Sequence, residues 1–282
     1  MPTLREYRGR EHWSASSINQ FLNICSLQYA FQRVYREIPA FTPVCLVFGT
    51  VYHQVMRHAA LVRMEGGRPE AGEGRELFAG LWRQAMDEAR DGDRDVRLDQ
   101  GMGMEDYLRQ GQDLVACAIA ETDPEERIVS VDEAFAVPLL AGGVQVTERP
   151  LIGELDLVIE KNGQRMVVDH KTSARRWSKG QAALSIQPTA YLYAYRQLHG
   201  MEVPFRFDVL VKHKTPVREC HHTTRDDNDF ERLAVLAGRI EAMVEAGHFL
   251  PSDQGFYCGG CPYRKPCARW HMERGRVCKL AA

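Results

Sequence analysis

No stretch of this chain reaches the ~18 uninterrupted apolar residues that a membrane-spanning helix needs, so the sequence offers no membrane segment. Residues 1–10 lack the apolar core of a secretory signal, and a cytoplasmic location is the expectation. No Gly-x-x-x-x-Gly-Lys-Ser/Thr occurs, which excludes an ATP-driven motor of the phosphate-loop type. Internal repeats and long low-complexity linkers are missing as well, so a solenoid or a string of modules is excluded. An excess of charge is absent too: the formal net charge is −2, and any contact with nucleic acid has to come from a local basic groove.

What is present is an ordinary globular composition, 44% hydrophobic and 26% charged, long enough to bury a sizeable core. Eight cysteines in a chain expected to be cytoplasmic argue for metal or cluster ligation over disulfides.

The chemistry concentrates in two neighbouring segments. Residues 153–159 and 166–172 are apolar and rich in β-branched residues, and Asn162-Gly163 between them predicts a tight hairpin. Strand alternation then puts Asp169 and Lys171 on one face and His170 on the other, and register can bring Asp156 beside them. Two carboxylates and an ammonium on one otherwise apolar face are costly unless something compensates them. Paired aspartates offer the hard oxygen ligands that Mg2+ or Mn2+ prefers, and such an ion suits phosphodiester hydrolysis. Lysine can orient the attacking water.

Other segments add candidates. Ser14 to Cys25 reads as a capped helix with Ile18, Phe21, Leu22 and Cys25 on one face. Gly49-Thr50 reads as the entry of a helix running to about Met64, with His53 in its first turns. Residues 65–75 and 91–103 read as Gly-rich polar loops around an amphipathic helix from Glu76 to Ala89, and a further helix spans about Met104 to Glu121. Cys117 is most simply core there. Ile128 to Leu139 alternates as a strand on which Glu133 is a candidate outer contributor to the site but most simply faces solvent. Gln187 and Tyr191 share a helix face, with Pro188 either at a first helical position or kinking a helix begun near Gln181. Lys212, His213 and Lys214 form a short basic turn that could touch a DNA backbone, a solvated loop being the commoner case, and Asp226 to Ala246 reads as a helix ended by Gly247.

Near the end, Cys258, Cys261 and Cys267 give Cys-x2-Cys-x5-Cys in a Gly/Pro-rich, strandless tail. Three thiolates need a fourth ligand, and zinc could complete its shell with His271 or Cys278. Arg264, Lys265, Arg269, Arg274 and Arg276 make this tail basic.

Gly153-x-x-Asp156 followed by Asp169-x-Lys171 resembles the PD-(D/E)XK nuclease superfamily. The early Cys25, Gly49-Thr50-x-x-His53, Gln187-x-x-x-Tyr191 and the triple-cysteine tail, in this order, resemble the RecB/AddB-type iron-sulfur exonucleases and the CRISPR-associated adaptation nucleases. The resemblance implies one α/β domain over 1–282 with a restriction-endonuclease-like core, a central mixed β-sheet flanked by helices. A helical elaboration at about 65–121 and a cluster-binding tail at about 251–282 complete it. It further implies that His53, Asp156 and Asp169 bind Mg2+ or Mn2+, that Lys171 orients water, and that Gln187 and Tyr191 support the substrate. Cys25, Cys258, Cys261 and Cys267 would hold a structural 4Fe-4S cluster; both zinc and iron-sulfur accept four thiolates, so ligands alone do not discriminate. Cys45, Cys117, Cys220 and Cys278 are then free thiols. The implied substrate is DNA, as single strands or ends, with room for a helicase or integrase-type partner. The rival from another class is a non-catalytic nucleic-acid or partner-binding module, or a nuclease active only within a complex.

Overall fold

The computed structural model describes residues 3–92, 95–253 and 255–280, the side chains of 274–280 excepted. Arg274, Arg276 and Cys278 of the expected basic tail therefore lie outside the described side chains.

In chain order, α1 (Leu4–Tyr7) and α2 (Ala15–Asn19) open the fold, and α2 continues as a π-helical turn over Gln20–Ile24. Ser14 caps α2 as expected, its side chain accepting from the Ser17 N–H. Cys25 ends that segment and caps α3 (Ser26–Tyr29), which runs into a second π turn at Ala30–Val34. Then follow β1 (Thr42–Pro43), α4 (Val44–Met64), α5 (Ala71–Asp91), β2 (Val96–Arg97) and α6 (Met104–Ala120). The β-rich part comprises β3 (Arg127–Val137), the small hairpin β4 (Leu140–Ala141) and β5 (Val144–Gln145), β6 (Leu151–Lys161) and β7 (Gln164–Ser173). After α7 (Gln181–Leu184) and α8 (Ile186–His199) come β8 (Phe205–Val211), β9 (Val217–Thr223), α9 (Asp227–Glu245), a 3-10 turn at Phe256–Cys258 and α10 (Arg264–Leu280).

Two boundaries depart from expectation. Helix α4 begins at Val44, because the buried stripe Val44, Phe48, Val51, Tyr52 and Val55 keeps the helical period through Gly49-Thr50. Thr50 is thus interior to the helix, its hydroxyl donating back to the Leu46 carbonyl at 3.0 Å. Helix α5 begins at Ala71, inside the expected loop, and Gly74 there serves packing: a Cβ would sit 2.5 Å from Ile119 Cδ1. Gly111 on α6 does the same for the Phe78 ring, with a Cβ reaching within 1.9 Å of it. Phe48, Phe78, Trp82 and Tyr107 consequently close into one aromatic core shared by α4, α5 and α6.

The central sheet has the order β3-β6-β7-β8-β9, antiparallel except for β7 with β8. The β6–β7 hairpin turns at Asn162-Gly163, both with positive φ (53° and 76°), which matches a type I′ turn. A parallel pair requires a crossover, supplied here by α7 and α8. Pro188 explains why the crossover holds two helices: in a continuous helix its ring would meet the Leu184 carbonyl, and the chain breaks at Ser185 instead. Arg225 covers the carbonyls of Ala182, Ala183 and Ser185 left open by the break. Helices α2, α8 and α9 pack on one face of the sheet, and α4 with α6 on the other. Among the described residues, no helix is long and apolar enough to cross a membrane.

Amino- and carboxy-terminal parts meet directly. The Leu27 N–H donates to the Leu250 carbonyl at 3.2 Å, the Ala40 N–H donates to the Pro262 carbonyl at 3.0 Å, and Phe31 packs on Tyr263. The tail is helical from Arg264 rather than an open loop, so Cys267 sits on the first turn of α10.

Candidate active site

The hairpin splits where the chemistry lies. Strand β7 pairs with β6 from Gln164 to Val168, but its far half from Val167 to Ser173 pairs with β8. Asp156 and Asp169 are the next residues past the end of the β6–β7 ladder, so both carboxylates stand at the mouth of the fork. Asp156 stays near β7 because its Oδ2 accepts the His170 backbone N–H at 3.0 Å.

As expected from alternation, Lys171 joins Asp169, with Nζ 2.6 Å from Oδ2, while the His170 ring turns to the opposite face, edge-on to Tyr52. His53 arrives from α4, its Nδ1 3.0 Å from Asp156 Oδ2. Gln187 on α8 donates to Asp169 Oδ1, and Tyr191, one turn further along the same helix, lies with its ring edge-on to Phe135. The structure thus brings together all six residues: His53, Asp156, Asp169, Lys171, Gln187 and Tyr191.

Electrostatics separates the two acids. Burial alone would raise Asp156, but the hydrogen bond and charge of His53, with Lys171, hold it at about 2. Asp169 is 1% exposed, and burial, reinforced by the Asp156 charge, pushes it up to about 6 against the opposing Lys171. Burial also works against charge on His53 and Lys171, yet the facing carboxylates raise both pKa values. Burial raises the Tyr191 phenol far up, so it stays protonated.

Two carboxylates and an imidazole form a donor set that fits Mg2+ or Mn2+. Asp169 Oδ2 is buried and has no partner in hydrogen-bond geometry despite the nearby ammonium, so lone-pair capacity remains at the fork. As arranged, Asp156 pairs with His53 and Asp169 with Lys171, and among the described residues no three His, Cys, Asp or Glu side chains are gathered closely enough to hold an ion.

Several neighbours were not legible beforehand. Asp132 on β3 has a left-handed backbone, φ 49°, and pairs with Arg57; burial raises its pKa and the Asp156 charge adds to that. Arg8, just past the end of α1, and Arg33, in the Ala30–Val34 turn, share the cavity that contains Asp156 and Lys171. Behind the sheet, Arg206 bridges Glu126 and Asp208, and Arg218 adds a second arm to Asp208 at 2.7 Å. Conversely, Glu133 belongs to Ser130 and His199, both at 2.6 Å, rather than to the site or to solvent. Lys212 of the expected basic turn lies 3.9 Å over the Phe48 ring, while His213 and Lys214 are exposed. In the tail, Arg269 pairs with Glu37.

Cys25, Cys258, Cys261 and Cys267 line one cavity of about 340 Å³, together with His271. They are not drawn together to ligand distance: the Cys25 sulfur accepts the Gln28 N–H at 3.4 Å, the Cys261 sulfur accepts Gln28 Nε2 at 3.4 Å, and the Cys258 thiol donates to the Ser252 carbonyl at 3.1 Å. Burial and then the neighbouring Cys25, Cys261 and Cys258 raise the Cys267 thiol.

A candidate exonuclease from Eubacterium rectale, whose crystal structure is known, superposes with a TM-score of 0.54 at 14% identity, covering 92% of this chain and 93% of that one. At that identity the likeness speaks for the fold alone. The crystal structure of SSO0001 gives a TM-score of 0.39 at 13% identity over 92% and 89% of the two chains, and carries no argument. No curated protein matches the sequence significantly. A family model described as the PD-(D/E)XK nuclease superfamily matches residues 12–268, from before Cys25 to past Cys267. The chain therefore belongs to the PD-(D/E)XK nuclease superfamily.

Proposed function

We propose that this chain is a divalent-metal-dependent deoxyribonuclease that acts on single strands or DNA ends, as one domain spanning the sequence. The observation that carries the reading is the convergence of Asp156, Asp169, Lys171 and His53 at the fork of β6 and β7. In this reading His53, Asp156 and Asp169 hold Mg2+ or Mn2+. The bound ion would polarise the phosphodiester and acidify a water. Lys171, cationic beside Asp169, orients that water and offsets charge on the phosphate. Gln187 holds Asp169 in place, and Tyr191 supplies a neutral O–H donor toward substrate. The exonuclease preference draws on the resemblance to RecB/AddB-type enzymes and on the name of the Eubacterium rectale neighbour.

In the same reading the four cysteines around the tail cavity hold a 4Fe-4S cluster with a structural role. Support comes from the shared cavity and from Cys25 and the tail already lying against each other. Gathering the four thiolates needs side-chain rotation within that cavity. Zinc with His271 as fourth ligand is the competing occupant, since His271 lines the same space.

The test is degradation of end-labelled single- and double-stranded DNA by anaerobically purified protein with Mg2+ or Mn2+, with Asp169→Ala alongside. Metal-dependent cleavage that vanishes in the variant is expected, and the products give the polarity. Protein with a full cluster and no cleavage would move the function to a binding module.

A further inference from the structure

We propose that Arg8 and Arg33 form a phosphate subsite for the nucleotide adjoining the scissile phosphate, and that this subsite takes a single strand. The inference rests on the metal-nuclease reading and specifies its substrate contact. A polar cavity of about 680 Å³ runs from Asp156, Lys171, Gln187 and Tyr191 to Arg8 and Arg33. A space of this size encloses a nucleotide or two and not a duplex.

The far wall is the amino-terminal segment, and it is fixed. The Trp13 N–H donates to the Pro150 carbonyl and its own carbonyl accepts the Ile152 N–H, each at 2.8 Å, tying the segment to the start of β6. Helix α1 packs on β3 and β6 from the same side. Arg8 is therefore held at a set place relative to Asp156, while Arg33 is positioned separately by Gln20 and Tyr29.

Arg33 is half-buried, donates from Nε to Gln20 Oε1 at 3.3 Å and lies 5.8 Å over the Tyr29 ring. Among the described residues, no carboxylate forms an ion pair with Arg33 or with Arg8. Glu154 lines the same cavity and forms an ion pair with neither, though the charge of Arg8 reaches it. Burial disfavours the Arg33 charge, and the like charge of Arg8 adds to that cost. Two guanidinium groups facing one cavity, neither of them in an ion pair, are stabilised by an incoming anion, and a guanidinium fork suits a phosphate. Ser16 and Asn19 on the same wall add neutral donors of the type that position a backbone without reading sequence.

The test measures binding of a fluorescent oligothymidylate by anisotropy in chelator, where no cleavage intervenes, across a salt series. Arg33→Ala is expected to weaken binding about tenfold and to flatten the log–log salt slope by about 0.7, the value for one phosphate contact on a single strand. Arg33→Lys should keep the slope. Arg8→Ala, at an exposed position, should act in the same direction and guards against a folding defect at Arg33. A duplex of the same length should bind more weakly than the single strand and be indifferent to both substitutions. Unchanged affinity and slope in both alanine variants, or duplex binding as tight as single-strand binding, would overturn the subsite. Failure of the nuclease reading is a different result: wild-type protein that cleaves nothing with Mn2+.

Discussion

Gln187 reaches from α8 to Oδ1 of Asp169, so this carboxylate is held on one oxygen by an amide while the other oxygen faces Lys171 and the fork. The contact orients a proposed metal ligand without itself needing to touch the ion. Outer partners of this kind fix ligand direction, and their loss typically costs about 10–100-fold in metal affinity or activity. Gln187→Ala should therefore raise the Mn2+ concentration needed for half-maximal cleavage by a factor in that range, with little change in stability. A metal titration of cleavage rate checks it, and an unchanged titration would make Gln187 a bystander.

Asp169 also gives a pH signature to the metal-free protein. In the fold it keeps its proton up to about 6, whereas its ordinary value is 3.8. Between these values the native state binds more protons than the unfolded state, so stability falls as pH rises through about 4 to 6, by about 3 kcal/mol. Asp156 has the opposite sign: held at about 2, it adds stability that is present above pH 4 and lost as pH falls toward 2. Urea denaturation in chelator at a series of pH values should show the decline in wild type and not in Asp169→Asn. Mn2+ should counter the decline above pH 6, because it needs the ionised carboxylate.

Arg206 is the keystone of the buried charges behind the sheet. Its side chain is 8% exposed, as is that of Glu126, and Asp208 is at 3%. Arg206→Met would leave Glu126 without its ion-pair partner and Asp208 with Arg218 and the Cys220 thiol. Removing one member of a buried pair generally costs about 3–5 kcal/mol, since a desolvated charge is left behind. Chemical denaturation should read a loss of that order. A loss below about 1 kcal/mol would mean that the network relaxes to water.

Much of the fold could be read in advance where the signal was local. Strand alternation put Asp169 and Lys171 on one face, the Asn162-Gly163 turn allowed Asp156 beside them, and the Gln187-Tyr191 spacing held on α8. The signal failed where the reason for a residue lay far along the chain. Gly74 looked like a loop glycine because its partners, Val115 and Ile119, are on α6. Lys212 looked like a solvated loop lysine, yet its ammonium lies on the Phe48 ring. The Arg206–Glu126 pair spans 80 positions, and no periodicity reports it. Arg8 and Arg33, 25 positions apart, line one cavity for the same reason.

The two glycine environments make a paired test of packing. A Cβ on Gly111 would strike the Phe78 ring at 1.9 Å, but one on Gly49 would meet nothing within 4 Å. Gly111→Ala should destabilise by about 1–3 kcal/mol through overpacking, while Gly49→Ala, inside α4, should stabilise by about 1 kcal/mol through helix propensity. Thermal melts of both variants decide this. Destabilisation by Gly49→Ala would show that the glycine of Gly-Thr-x-x-His serves the fold.

The tail offers the sharpest separation of the proposed cluster from the fold that surrounds it. Contacts between the two ends of the chain, Leu27 with Leu250, Ala40 with Pro262 and Phe31 with Tyr263, do not pass through any cysteine. If Cys25, Cys258, Cys261 and Cys267 hold a 4Fe-4S cluster, its loss removes a long-range tether but leaves these contacts. Cross-links closing loops of this length contribute about 3–5 kcal/mol. Cys261→Ala should thus lose the brown chromophore and iron, and lose stability of that order. It should still fold, with Phe31 packed on Tyr263. Iron analysis, visible absorbance and a melt on anaerobically purified protein check all three. Colourless wild type carrying zinc would instead make the site a zinc tether completed by His271. Retained colour and iron in the variant would remove Cys261 from the ligand set.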